Sequence, residues 1–143
     1  MLQQMKKRLK NEKGLTLIEL LAVIVILAII AAIAIPAIGN IIDNSRNKAL
    51  KSDAANIINA AQMYYADGAD GIFTISTDGT GSGSSYVQLG DTTVTTEITV
   101  TEDGAISGAL SKGGKTLTLT AATLSEIDID SGESVTGKAV ISE

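Results

Sequence analysis

Residues 13–42 read KGLTLIELLAVIVILAIIAAIAIPAIGNII, and this stretch decides how the chain folds. From residue 15 to residue 42, 23 of 28 residues are apolar, and Glu19 is the one charged residue among them. The 23 residues from 20 to 42 carry no charge. A helix that crosses a bilayer core needs about 20 apolar residues at a rise of about 1.5 Å each, so this run is long enough. A core helix would show a polar face, which this stretch lacks. We therefore predict that residues 15–42 form a helix that spans a membrane.

The 14 residues before this stretch, MLQQMKKRLKNEKG, contain five basic residues and one acid. Positive charge beside an apolar segment keeps that end in the cytoplasm, so residues 1–14 are interpreted as a targeting leader. A secretory signal would place its small cleavage-site residue after the apolar run, but here Gly14 comes before it. Cleavage after Gly14 would remove the basic leader and leave the membrane segment on the mature protein.

The next segment, residues 43–66, is amphipathic. Apolar residues recur at helical spacing at Leu50, Ala54, Ile57, Ile58, Ala61 and Tyr65, while Arg46, Lys48, Lys51 and Asp53 fall largely elsewhere. We predict one helix over residues 15–66, which ends at Asp67-Gly68 with a glycine C-cap. Pro36 removes a backbone donor and lies near Gly39, so we expect a kink or local melting at these two residues.

Residues 67–143 have a different composition, because 36 of these 77 residues are Gly, Ser or Thr. Residues 78–85, DGTGSGSS, are predicted to form a turn-rich loop. Apolar residues alternate at 94–100, 117–121 and 135–141, which predicts antiparallel strands with one buried face. The expected fold is α+β, with a small antiparallel sheet packed on the helix face of residues 50–65.

The composition also limits the chemistry. The 143 residues include no Cys, His or Trp, so thiol nucleophiles, imidazole bases and disulfides are excluded. We expect neither an enzyme nor a cofactor.

The residues KGLTLIELL at 13–21 resemble the class III leader of type IV pilins and pseudopilins. The family pattern is a basic leader that ends in Gly, then an apolar residue, Thr or Ser, an apolar pair and Glu. Pro36 also matches a proline found near that place in many pilins. The resemblance covers residues 1–66, and beyond them it extends only to the layout of a long helix followed by a small sheet.

This resemblance implies that a membrane prepilin peptidase cuts between Gly14 and Leu15 and then methylates the new amine of Leu15. A carboxylate such as Glu19 costs several kcal/mol in hydrocarbon when it is unpaired. The amine of Leu15 on a neighbouring subunit is a ready partner, and that pairing would set the axial stagger of a helical filament of many copies. The resemblance also implies a pilus assembly platform and an ATPase as partners. The precursor would lie in the inner or cytoplasmic membrane, and the filament would be extracellular.

Two other functions are compatible with the sequence. One is a major pseudopilin of a type II secretion or competence machine, which would share the same helix. The other is a single-pass display protein, in which residues 15–42 are a plain anchor and Glu19 is a carboxylate at headgroup level.

Weaker signals lie in residues 67–143. Asp128, Asp130 and Glu133 could hold Ca²⁺, but their spacing is not that of an EF-hand, which favours a solvated acidic turn. Gly79, Gly81 and Gly83 lack the spacing of a phosphate-binding loop. The segment carries three lysines and 12 acids, so direct binding of nucleic acid is not expected. Many Gram-negative members of the family that the chain resembles close their C-terminal region with a disulfide, so the lack of cysteine favours a Gram-positive source.

Overall fold

The computed structural model describes residues 16–127 and 139–142. Helix α1 spans Leu17–Ala66 and is followed by strands β1 (Phe73–Ile75), β2 (Thr93–Val100), β3 (Ile106–Lys112) and β4 (Lys115–Ala122). A 3₁₀ turn (Leu124–Glu126) and strand β5 (Ala139–Ser142) follow. The chain divides into two compact units, Met1–Gly39 and Asn40–Glu143, which we call the N-terminal unit and the head unit.

Helix α1 has 50 residues, in agreement with the predicted helix. It ends as its sequence predicts, at a glycine in the left-handed conformation, Gly68, with φ of +78°. The Gly68 amide donates to the Tyr65 carbonyl at 3.1 Å, and the Ala69 amide donates to the Tyr64 carbonyl at 3.4 Å. This pair of bonds is the Schellman motif, which satisfies two of the last carbonyls of the helix.

The five strands form one antiparallel sheet in the order β1-β2-β3-β4-β5, so each strand pairs with its neighbours in the chain. A two-residue turn, Gly113-Gly114, joins β3 to β4 with φ of +59° and +85°. Both glycines have positive φ, as a type I′ hairpin turn requires. The predicted α+β fold class is confirmed.

The core of the head unit lies between one face of α1 and one face of the sheet. The helix contributes Leu50, Ala54, Ile57, Ile58 and Ala61, all of them buried, as the spacing predicts. The sheet contributes buried residues from every strand, among them Phe73, Ile98, Leu110, Leu117 and Ile141. Burial of apolar area contributes about 25 cal/mol per Å², so this contact is the main stabilisation of a head that lacks disulfides.

The turn-rich loop of residues 78–85 packs on the outer side of β1. The Thr74 amide donates to Ser82 Oγ at 2.9 Å, and Ser82 Oγ donates to the Ile72 carbonyl at 2.9 Å. Gly83 is needed for close packing, because a Cβ at this position would lie 2.3 Å from Cζ of Phe73. The loop therefore covers the exposed edge of a three-residue strand, where unpaired backbone groups would otherwise invite aggregation.

All four aromatic residues of the chain meet at the end of α1. The ring of Tyr64 lies edge-to-face against Tyr65, Phe73 and Tyr86, with centroid distances of 5.3, 5.6 and 5.6 Å. The Tyr65 hydroxyl donates to the Val100 carbonyl at 2.7 Å and accepts the Phe73 amide at 3.1 Å. One side chain of the helix thus bonds to the backbones of both β1 and β2.

Several sequence expectations differ from the structure. Lys51 was expected on the polar face of the helix but is fully buried, in line with Ala54, Ala55 and Ile58. The whole Lys51 side chain is buried, its ammonium included, so a charge in the sequence does not mark the solvent side here. Strands β1 and β3 were not predicted. The predicted run at 117–121 lies inside β4, and that at 94–100 inside β2. Of the predicted run at 135–141, residues 135–138 lie outside the described residues.

We expect Tyr65→Phe to lower the free energy of unfolding by about 1–3 kcal/mol, because a buried amide and a carbonyl lose their hydrogen bonds to the hydroxyl. Tyr86→Phe is the matched control, since it removes a hydroxyl that bonds only at an exposed position, to Asp67 Oδ2 at 3.2 Å. Denaturant unfolding of the full chain in detergent measures both variants. Equal losses for the two variants would contradict the role given to Tyr65.

Candidate processing and assembly site

The described part of the chain begins at the candidate site. Thr16 is the first described residue, and α1 begins at Leu17. Gly14 and Leu15, the predicted cleavage and methylation positions, lie outside the described residues. Their roles therefore stay predictions.

Thr16 and Glu19 bond to each other across the first turn of α1. The Thr16 amide and the Thr16 hydroxyl each donate to Glu19 Oε2 at 2.8 Å. The Glu19 amide lies 3.2 Å from Thr16 Oγ1, and the Leu20 amide donates to the Thr16 carbonyl at 3.1 Å. Thr16 is therefore the N-cap and Glu19 the N3 residue of a reciprocal capping box.

This capping box lowers the free-energy cost of placing the Glu19 carboxylate in an apolar environment. An anionic side chain is favoured in the first turn of a helix, where the unsatisfied amides carry partial positive charge. Glu19 gains two donors from its own chain, so the cost of its carboxylate in an apolar environment is reduced before any neighbouring subunit approaches. The sequence reasoning missed the role of Thr16, although Thr-x-x-Glu before an apolar run is the known signature of this motif.

The rest of the N-terminal unit presents apolar side chains in every direction. Its large apolar residues from Leu17 to Ile38 are between 46% (Val23) and 88% (Leu17) exposed. Within the described residues, α1 is the one helix that is long and apolar enough to cross a membrane, judged by length and composition alone. A surface of this size has to be covered by lipid or by protein.

Pro36 and Gly39 lie inside this helix, and both residues are helical. The residues around Pro36, which lacks an amide donor, keep their helical conformation, so the expected local melting is not seen. A bend at this place remains a prediction. A Cβ at Gly39 would have no heavy atom within 4 Å, so this glycine is not required for packing in the single chain.

The candidate calcium ligands Asp128, Asp130 and Glu133 lie outside the described residues. Over residues 16–127 and 139–142, no group of three or more His, Cys, Asp or Glu side chains is placed to hold a metal ion. The calcium site thus stays untested.

A family model described as the prokaryotic N-terminal methylation motif matches residues 9–35. The chain carries this motif. It is the class III prepilin leader of type IV pilins and pseudopilins, so the resemblance seen in the sequence is confirmed. The matched residues include Gly14, Leu15, Thr16 and Glu19. No curated protein and no solved structure shows a significant match to the chain.

The methylation motif supports a type IV pilin or pseudopilin, and such proteins are structural subunits. The motif and the apolar helix fit a membrane-anchored precursor that is processed by a prepilin peptidase. The expected preference for a Gram-positive source receives no support from these findings.

We expect Thr16→Val to weaken the first turn of α1 by about 0.5–2 kcal/mol, because the N-cap oxygen is lost while the size of the side chain is kept. Thr16→Ser retains the hydroxyl and is the matched control. Amide hydrogen exchange at residues 17–20 of the full chain in micelles measures the effect. Unchanged exchange in Thr16→Val would show that the capping box contributes nothing to the helix start.

Proposed function

We propose that the protein is a major pilin, which is cleaved after Gly14, methylated on Leu15 and assembled into an extracellular type IV pilus. The observation that carries this proposal is the combination of the methylation motif with an exposed apolar helical segment that has no charge from residue 20 to residue 42. The helix first lies in the membrane and then packs against the helices of other subunits in the filament core. A pilus assembly platform and an ATPase would move the subunit between these two environments.

Glu19 has a defined part in this assembly. In the single chain its carboxylate bonds to Thr16. After cleavage the new amine of Leu15 becomes available, and we propose that Glu19 pairs with that amine on a neighbouring subunit. An ammonium carries a full positive charge, whereas the amide and hydroxyl of Thr16 are neutral donors, so Coulomb attraction lets the ammonium compete with them for the carboxylate. Subunits in a wrong register would leave both charges unpaired in an apolar core, and this cost sets the stagger.

The head unit has the properties of a solvent-facing coat. Its core is built from residues 50–141 and includes none of the apolar residues before residue 43. Residues 67–143 carry 12 acids against three lysines. A filament covered with such heads would repel nucleic acid, so we assign no direct DNA binding to this subunit.

Pseudopilins carry the same motif and the same helix. The two functions differ in the length and abundance of the polymer on the cell surface. Electron microscopy of material sheared from cells, with the intact mass of the subunit, tests the proposal: long filaments of the cleaved and methylated chain support the pilin. Their absence, together with a short polymer that stays with the envelope, would identify a pseudopilin.

We expect Gly14→Phe to block processing. Gly14 has no side chain, so the backbone can lie extended in the protease cleft, and the ring of Phe would prevent this fit. The full-length chain should accumulate in the membrane, as measured by intact mass. Leu15→Met keeps an apolar residue on the other side of the bond and should still be cleaved. Mature-length protein from Gly14→Phe would refute the cleavage assignment.

We expect Glu19→Ala to be cleaved normally but to reduce the yield of sheared filaments by about tenfold or more, since each 1.4 kcal/mol of lost interaction is a factor of ten. Glu12→Ala is the matched control, because its carboxylate is discarded with the leader. Quantitative immunoblots of the sheared fraction measure the yield. Normal filaments from Glu19→Ala would contradict the pairing between subunits.

A further inference from the structure

Four Asp-Gly pairs lie in the head unit, and the chain has no Asn-Gly pair. In such a pair the backbone nitrogen of glycine can attack the side-chain carbonyl carbon of the residue before it and close a cyclic imide, because glycine has no Cβ to obstruct the approach. Since all four pairs have the same two residues, a difference in their reactivity has to come from the fold. The pairs are Asp67-Gly68, Asp70-Gly71, Asp78-Gly79 and Asp103-Gly104.

In three of the pairs a turn holds the glycine amide. Each of these amides donates to the carbonyl of the residue three positions earlier, at 2.9–3.1 Å. Imide formation requires the nitrogen to lose its proton and to turn toward the aspartate carboxyl, so this hydrogen bond has to break first. The cost of that local opening slows the reaction. The three glycines are Gly68, Gly79 and Gly104.

Two of the same three pairs also hold their carboxylate. Asp67 Oδ2 accepts the Tyr86 hydroxyl at 3.2 Å. Asp78 Oδ1 accepts the Thr80 amide at 3.0 Å and the Thr80 hydroxyl at 2.6 Å. The bonds from the Thr80 hydroxyl and amide lower the pKa of Asp78, which reduces the fraction of the acid form that a nucleophile attacks. The Asp103 carboxylate has no such bond within the described residues, so at its pair the turn acts alone.

The pair Asp70-Gly71 is held at neither group. Within residues 16–127 and 139–142, the Gly71 amide donates no hydrogen bond, and the Asp70 carboxylate accepts none and forms no ion pair. Both residues are exposed, so water reaches them. Gly71 has a φ of +111°, which L side chains rarely adopt, so the backbone requires glycine here. Of the four pairs, this is the one in which both reacting groups are free to move.

The connection between α1 and β1 also accommodates the product of this reaction. An isoaspartate linkage adds one methylene group to the main chain, and the added group falls among residues 70–72, which belong to no helix or strand. The bond from the Phe73 amide to the Tyr65 hydroxyl lies beyond it and can stay. The bond at the site, from the Tyr64 hydroxyl to the Asp70 carbonyl, is 3.4 Å long and therefore weak. At the other three pairs the same addition would enlarge a bonded turn, which the fold resists.

We propose that Asp70-Gly71 is a site of spontaneous isoaspartate formation in the folded protein. The Gly71 nitrogen forms a bond to Cγ of Asp70, and its proton leaves with the carboxyl OH as one water molecule. Water then adds to the imide at one of two carbons. Addition at Cγ restores aspartate, whereas addition at the main-chain carbonyl carbon of Asp70 breaks the bond from that carbon to nitrogen and leaves the chain linked through Cγ. The water that was lost is regained, so the reaction needs no oxidant, cofactor or enzyme.

Hydroxylamine tests this proposal, because it attacks the imide and cleaves the chain there. The purified full chain is incubated in detergent at neutral pH and then treated with hydroxylamine, so the test depends on neither processing nor assembly. Intact masses identify the site, since cleavage at Asp70 separates residues 1–70 from residues 71–143. We expect cleavage at Asp70 to exceed cleavage at each other pair by about tenfold, because one net hydrogen bond changes an equilibrium by up to about that factor. Peptide mapping of the untreated chain should find isoaspartate at the same position.

The same incubation in denaturant is the control for the fold, since the four pairs should be cleaved to similar extents once the turns are lost. D70E lengthens the side chain, so the nitrogen would have to close a larger ring, and cleavage at this position should be lost. D103E makes the same change at a pair whose amide is bonded and should leave cleavage at Asp70 unchanged. D70N presents an uncharged side chain to the same nitrogen and should be cleaved faster than the natural chain. Circular dichroism confirms the fold of each variant.

Three results with the folded chain would overturn the proposal. They are cleavage to similar extents at all four pairs, cleavage that is greatest at one of the other three pairs, and no cleavage at Asp70. Cleavage at position 70 that persists in D70E would also contradict it, because the fragments would then not come from the imide of Asp70. If D70N alone is cleaved, the Gly71 nitrogen reaches residue 70 but the natural carboxylate does not react, and the proposal is wrong.

Discussion

The constraint on which the structure depends is the absence of a polar face over residues 20–42. A helix of this kind exposes apolar side chains in all directions and needs apolar surroundings on every side. In the proposed function, hydrocarbon provides them in the bilayer, and neighbouring helices of the same kind provide them in the filament. The helix would then have two environments, and the capping box of Thr16 and Glu19 lies at its N-terminal end. Because the Glu19 carboxylate accepts hydrogen bonds from Thr16 of its own chain, its cost in the membrane is lowered in a single subunit, before a neighbouring subunit binds.

In the proposed function, Glu19 needs a partner in the single chain and has to release that partner during assembly. This explains why its bonds within the described residues go to Thr16, three positions away. Bonds to a residue three positions away form as soon as the helix forms, and they need no second molecule. Their donors are neutral, whereas an ammonium carries a full positive charge, so the carboxylate can exchange them for that partner. A deeply buried ion pair within one subunit would resist that exchange, because removing one partner would leave an uncompensated charge. In the proposed function, local capping thus suits a carboxylate that exchanges its partner during assembly.

Sequence reasoning worked where one physical rule decided the outcome. The helix follows from the length of the apolar run and the spacing of Leu50, Ala54 and Ile58, and its end follows from the need for glycine at position 68. Strand β3 was missed because its alternation is broken. Gly108 stands where the alternation needs an apolar side chain, because a Cβ there would lie 2.5 Å from the Glu97 carbonyl oxygen, and the adjacent residues Ala109 and Leu110 are both buried. Strand β1 has three residues, too few for a periodic signal, and its pairing relies on bonds to Tyr65 and Ser82 from distant parts of the chain.

The hydrogen bonding of the short and irregular strands explains the composition of the head. Residues 67–143 are poor in large apolar side chains and rich in small and hydroxyl side chains. Many of these hydroxyls complete the backbone bonding of short or irregular strands, as when Ser107 Oγ accepts the Ala121 amide at 2.9 Å beside a bulge. Thr92 Oγ1 similarly donates to Asp53 Oδ2 at 2.5 Å and ties the start of β2 to the helix. Over residues 16–127 and 139–142, the core draws on residues from Leu50 onward and on none of the apolar residues 17–42. In the proposed function the head can therefore fold once, outside the membrane. It keeps that fold when the helix moves from lipid into a filament. Assembly thus changes the surroundings of the helix without unfolding the head.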